Sequence, residues 1–178
     1  PLPANPDPTD PATPPGPSRV VPADPVADLS KTLKNVTAPD AGTTHIGDVL
    51  RYTVTLANTG AANSCLVGAV MSDPLPVGLE PVAGTLRLAV DGGEPVAVPD
   101  AAYDRASRTI AVTCGDMWGG SRAVLTFDAV VGAAAVGADN GDVARVHGSV
   151  PSKDPDAAPT DPEPGKPAAP PSGEPEAF

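Results

Sequence analysis

The chain has 178 residues, of which 25 are proline and 3% aromatic, and it carries a formal net charge of −11. An acidic excess of this size speaks against nucleic acid as a partner, because phosphate contacts need clustered lysine and arginine. No apolar run reaches membrane-spanning length, and the start at Pro1, with neither an initiator methionine nor a signal-like segment, reads as a piece of a longer protein.

Ten prolines fall in residues 1–26 and nine in residues 151–178. Both stretches are expected to be disordered, polyproline-like linkers, since they hold few apolar side chains to offset the entropy of ordering. Neither shows a clean basic PxxP motif, which favours a spacer over a docking site. Residues 27–150 between them have the size of one domain and need no metal to fold. With so few aromatic residues the core must come from Val, Leu, Ile and Ala, a composition suited to strands.

The first predicted strand, Asp28 to Asn35, contains the oddest residue of the chain. Its alternation groups Lys31 with Leu29 and Leu33 on the apolar face. A core-facing ammonium needs a carboxylate partner, a route to water or a chemical purpose. The second strand, Leu50 to Leu56, places Leu50, Tyr52, Val54 and Leu56 on one face, and Asn58-Thr59-Gly60 turns the chain. A third runs from Leu66 to Ser72 and stops at Asp73-Pro74-Leu75-Pro76, because proline cannot donate to a central ladder.

Thr85 to Val90 alternates again, Asp91-Gly92-Gly93 turns, and Val96 to Val98 is a short return. Tyr103 to Arg108 is expected to connect as a hairpin into Thr109 to Cys114. Gly115 to Gly120 reads as a turn carrying Met117 and Trp118. Arg122 to Val131 forms a long strand with Ala123, Leu125, Phe127 and Ala129 on one face. The last strand spans Gly141 to Val150, with Asp142, Ala144, Val146, Gly148 and Val150 sharing a side. Short strands, turn residues at regular spacing and no helical period predict an all-β chain, an antiparallel immunoglobulin-like β-sandwich. Antibody-type order is excluded, because the single Trp follows both cysteines.

The chain carries no hydrolase elbow, zinc pair, phosphate loop or dinucleotide fingerprint. His45 and His147 lack partners at metal-ligand spacing, and Asp139-Asn140-Gly141-Asp142 lacks the glycine placement and distal glutamate of a calcium loop. No cofactor or metal is expected. Cys65 and Cys114 either pair, closing a loop of about fifty residues worth about 4 kcal/mol by chain entropy, or pack as free thiols. Trp118, between glycines, either presents an exposed ring to a ligand or folds back to cap the sandwich.

Three runs in order, Leu29-Ser30-Lys31-Thr32-Leu33-Lys34-Asn35-Val36-Thr37, His45 through Gly60, and Ser72-Asp73-Pro74-Leu75-Pro76-Val77-Gly78-Leu79, carry a resemblance that extends from about Ala27 to Val150. The chain is similar to the isopeptide-forming repeat domain of Gram-positive fimbrial and cell-surface adhesin proteins. The resemblance implies that Lys31 bonds covalently to a last-strand side chain while Asp73 assists. The family's last strand carries Gly-Asn-x-Ala, whereas this chain reads Gly141-Asp142-Val143-Ala144. Asp142 thus takes the acceptor's place, and Asn140, two residues away, is the alternative acceptor. An unbonded ion pair of Lys31 with Asp142 is the other reading.

Apolar surroundings favour the neutral amine and the protonated carboxyl, and contact between them raises the effective concentration enough for condensation without an enzyme. The functional expectation is a stalk or spacer module of a bacterial surface or fimbria-like protein, outside the cell and held to the surface or wall. It would be a bead between Pro-rich spacers that catalyses no turnover and whose partners are neighbouring domains of the same protein. The alternative is the ligand-binding domain of an adhesin that recognises a host glycan or matrix protein through Trp118.

Overall fold

A computed structural model describes residues 22–138, 141 and 143–150; Asn140, Asp142 and the proline-rich ends beyond these limits lie outside the described residues. The strands among the described residues are β1 (Ala27–Asn35), β2 (Val49–Asn58), β3 (Cys65–Pro74), β4 (Leu79–Pro81), β5 (Arg87–Val90), β6 (Val96–Ala97), β7 (Tyr103–Asp104), β8 (Thr109–Trp118), β9 (Arg122–Val131) and β10 (Arg145–Ser149). They pair antiparallel into two sheets. One has the order β1-β2-β9-β5-β6, with β4 also paired to β9, and the other has the order β10-β3-β8-β7.

Alternation explains why these sheets face each other. In β2 the side chains of Leu50, Tyr52, Val54 and Leu56 are buried, and in β9 those of Ala123, Leu125, Phe127 and Ala129. The register sets Leu50 opposite Ala129, Tyr52 opposite Phe127, Val54 opposite Leu125 and Leu56 opposite Ala123, so both apolar rows lie on one side. From the second sheet, Leu66, Ala69, Met71, Ile110, Val112, Met117 and Val146 complete the core. Each large side chain so buried contributes about 1.5–3 kcal/mol. This is an antiparallel immunoglobulin-like β-sandwich.

Several boundaries differ from the sequence expectation. β8 does not stop at Cys114 but runs on to Trp118, and Met117, expected in a turn, is buried in the core. Gly115-Asp116 punctuates a β-bulge instead of a turn: Gly115 has φ +82°, and the β3–β8 register shifts beside it. The Asp116 side chain accepts a hydrogen bond of 2.9 Å from the Gly68 amide across the bulge. β3 continues through Asp73 to Pro74, where a missing N–H is tolerated at the strand's last position. β4 was not expected, since three residues give too short a pattern to read. β5 begins at Arg87 and β10 at Arg145, each later than the periodicity suggests.

The registers also fix where the chain enters and leaves. Ala27, at the start of β1, pairs with Asn58 at the end of β2. Ser149, at the end of β10, pairs with Val67 near the start of β3, the strand that follows β2 after a short loop. The first and last strands therefore both open onto the same end of the sandwich. Upstream of β1, Ala23 makes a parallel bridge to Ser64 at that end.

Candidate cross-linking site

β1 alternates buried and exposed residues from Ala27 to Thr32, so its pleat turns Lys31 inward with Ala27 and Leu29, at 8% exposure. Being paired only to β2, β1 is an edge strand of its sheet, and its inward side chains reach towards the opposite sheet. Asp73 comes from that sheet. Because β3 continues to Pro74, the alternation that buries Ala69 and Met71 buries Asp73 as well, at 1% exposure. Lys31 Nζ donates a hydrogen bond of 2.7 Å to Asp73 Oδ1.

The ring of Tyr52 lies beneath the amine, with Nζ 4.6 Å from the centroid. Tyr52 is stacked on Phe127 at 5.1 Å between centroids and 11° between planes. The amine thus has a carboxylate in front and the negative face of an aromatic ring below. Two charges held in an apolar layer at this distance attract each other strongly, but most of that attraction replaces lost hydration. The arrangement contributes positional definition more than net stability. Chemically, it sets a primary amine against a carboxyl group at proton-transfer distance, with water largely excluded.

The structure brings together Lys31 and Asp73, two of the residues singled out from the sequence. Asp142 and Asn140 fall outside the described residues; their neighbour Ala144 is buried, and Arg145 pairs with Ser72 beside Asp73. Tyr52 was expected in the core but not at the amine. The signal for it lies in the β1–β2 register, which pairs Leu33 with Tyr52 and Lys31 with Val54 and so leaves Tyr52 diagonal to Lys31.

The cysteines do not pair. Cys65 stands opposite Trp118, whereas Cys114 lies beside the bulge opposite Ala69 and Val70, and both thiols are free. Four or more residues along a strand separate them by about 13 Å, beyond the reach of a disulfide. Burial pushes both thiols above their ordinary pKa. Trp118 does not fold back over the core: it is 55% exposed at the end of β8.

A second polar cluster escaped the sequence reading. Asn58, 1% exposed, continues the inward row of β2 and closes one end of the sandwich. Its Oδ1 accepts hydrogen bonds from the Val26 and Gly60 amides, and its Nδ2 donates to Ser64 Oγ and to the Met117 carbonyl. The clue was the one that marked Lys31, a polar residue in phase with an apolar row.

An immunoglobulin-like sandwich whose two sheets are tied by a buried Lys–Asp pair defines the class. No protein-family model and no curated protein matches the chain. Among solved structures, the RrgA Jo.In complex is similar over 67% of this chain and 70% of that chain, with 16% identity and a TM-score of 0.50. The major pilin SpaA of Corynebacterium diphtheriae matches over 83% of this chain but 36% of its own, with 20% identity and a TM-score of 0.48. The collagen-binding domain of a Staphylococcus aureus adhesin matches over 72% of this chain and 88% of its own, with 13% identity and a TM-score of 0.42. At such identities the likeness is one of fold.

Proposed function

We propose that this chain is a structural module of a Gram-positive surface or fimbria-like protein, and that an isopeptide bond from Lys31 to a side chain ahead of β10 locks its two sheets together. The observation that carries this reading is the buried Nζ to Oδ1 contact of 2.7 Å between strands of opposite sheets. Asp73 takes the proton from the ammonium and hydrogen-bonds the acceptor carbonyl. The neutral amine attacks the acceptor carbon, a C–N bond forms, and the C–O bond of Asp142 breaks with release of water. With Asn140 as acceptor, the C–N bond of its amide breaks and ammonia leaves. The reaction runs once per molecule and consumes no substrate.

Because β1 and β10 open onto one end of the sandwich, tension through the two linkers pulls both strands from that end, peeling hydrogen bonds one at a time. A bond at Lys31 halts the peeling of β1 after its first four residues. The domain then hangs beside the line of force, while the linkers supply length. Intact mass tests the reading. A deficit of one water or one ammonia, localised by fragmentation to a peptide joining Lys31 to Asp142 or Asn140, is expected. The full sequence mass refutes it. The adhesin reading, recognition of a host glycan or matrix protein, has one observation in its favour, the exposed Trp118. It requires binding that Trp118→Ala abolishes.

A further inference from the structure

The chain crosses from one sheet to the other directly after Asp73: β3 ends at Pro74, and β4 begins at Leu79 in the opposite sheet. Prolines at 74 and 76 take two amide donors out of this crossing, so it cannot be held by a ladder of its own. One side chain from the neighbouring hairpin holds it instead. Arg108, in the turn between β7 and β8, donates from Nε to the Leu75 carbonyl at 3.3 Å, from Nη2 to the Leu79 carbonyl at 3.2 Å, and from Nη2 to the Pro76 carbonyl. The backbone adds a further bond, from the Leu75 amide to the Arg108 carbonyl at 2.8 Å. Arg108 does this from a left-handed conformation, φ +56°, which a residue with a Cβ rarely adopts. Its side-chain partners are carbonyls and not carboxylates, so the guanidinium works here as a rigid fork of donors and not as a counter-ion.

Both sides of the cross-linking site hang from this crossing. On one side, Asp73 immediately precedes Pro74, where the crossing begins. On the other, Gly78 lies so close to the turn Ala133–Ala135 that a Cβ on it would stand 2.1 Å from the Ala135 amide nitrogen, and the Gly78 carbonyl accepts a hydrogen bond of 2.7 Å from the Gly132 amide. The chain that continues from that turn carries Asn140 and Asp142. Between the crossing and Gly141 and Val143, the neighbours of Asp142 in sequence, lies a cavity of about 340 Å³ that Arg108 also lines. A loop bordered by a cavity lacks packing partners on that side. Its place is therefore set from the other side, by Arg108.

We infer that Arg108 is a positioning residue for the cross-link: by clamping the crossing from β3 to β4 it holds Asp73 against Lys31 and seats the turn that leads to the acceptor. Its chemical consequence rests on the cross-linking reading, whereas its geometric half is tested with the bond removed. In the background Asn140→Ala/Asp142→Ala no bond to either acceptor forms, and the Lys31–Asp73 contact is read from proton exchange of the Lys31 ammonium group by nitrogen-15 magnetic resonance. Arg108→Gly in that background removes the fork while easing the left-handed backbone, and exchange is expected to quicken about tenfold. Arg108→Lys keeps the charge but cannot span three acceptors, and should quicken it as well. Arg105→Gly, which takes an exposed cation from the same turn, should leave it unchanged. In the chain with its acceptors intact, Arg108→Gly should slow the appearance of the mass deficit after cell-free synthesis by about a hundredfold, measured in protein that circular dichroism shows to be folded. Unchanged ammonium exchange in Arg108→Gly overturns the inference even where urea titration shows lost stability, because Arg108 then only braces its hairpin. Wild-type exchange in Arg108→Lys overturns it too, since charge and not the fork is then responsible. A wild-type chain of full sequence mass refutes the cross-link alone, and the exchange result still decides on the clamp.

Discussion

Pulling on single molecules by their ends gives the sharpest test of the Lys31 bond. Without a cross-link, unfolding releases the chain from Ala27 to Val150, about 430 Å of contour at about 3.5 Å per residue. With Lys31 joined to Asp142, only the segments outside the bond can extend, about twelve residue steps or about 40 Å. The control is Lys31→Met, which removes the amine and should restore the long extension. It also leaves Asp73, 1% exposed, without its cation in an apolar layer. Such a loss costs about 3–5 kcal/mol, a large share of a domain's usual stability of about 5–15 kcal/mol. The double variant Lys31→Met/Asp73→Leu avoids that penalty, because replacing a buried pair by apolar side chains is close to neutral. It should fold well and still extend fully. A wild-type protein that lengthens by about 400 Å at the force that opens the double variant refutes the reasoning.

Three further outcomes follow from the geometry. Asn58→Ala strips partners from the Val26 and Gly60 amides and from the Met117 carbonyl, and should lower stability by about 2–3 kcal/mol in urea titration. Gly119→Ala drives a Cβ onto the Ala61 carbonyl, which is backbone and yields little; a loss of about 1–3 kcal/mol is expected, measured by thermal melting. The Asp48 carboxylate, in the loop between β1 and β2, accepts hydrogen bonds from the His45 amide and the Asn35 side chain, which hold its pKa below the ordinary carboxylate value. A depressed pKa in the folded state contributes stability that is present above the unfolded value and disappears as pH falls through the folded one. The stability gap between wild type and Asp48→Asn should therefore narrow as pH falls below about 4, and a gap that does not narrow on acidification contradicts the assignment.

How far the site could be read from sequence depended on phase. Lys31 interrupts an apolar row, and a period-two pattern registers such an interruption directly. Asp73 enters through the family resemblance, at the Pro-Leu-Pro that follows it, where the sequence predicts the third strand to stop. Its inward direction became plain only with β3 continuing to Pro74, since that alternation turns Asp73 towards Lys31. Asn58 shows the same phase signal as Lys31 and was passed over, because Asn-Thr-Gly is also ordinary turn chemistry. Met117 and Trp118 were misplaced for a similar reason: glycine next to aspartate marks a bulge as readily as a turn, and only the partner strand tells them apart.

The sequence by itself determined the two-sheet class and the inward placement of Lys31, because strand periodicity is a local property. Tertiary structure decided that the amine meets Asp73 from the opposite sheet above the ring of Tyr52, that the cysteines stand too far apart to pair, and that the first and last strands open onto one end. Those facts depend on register and on how one sheet is laid over the other. Both are set by the summed fit of two apolar faces, a quantity that no single segment of the chain contains.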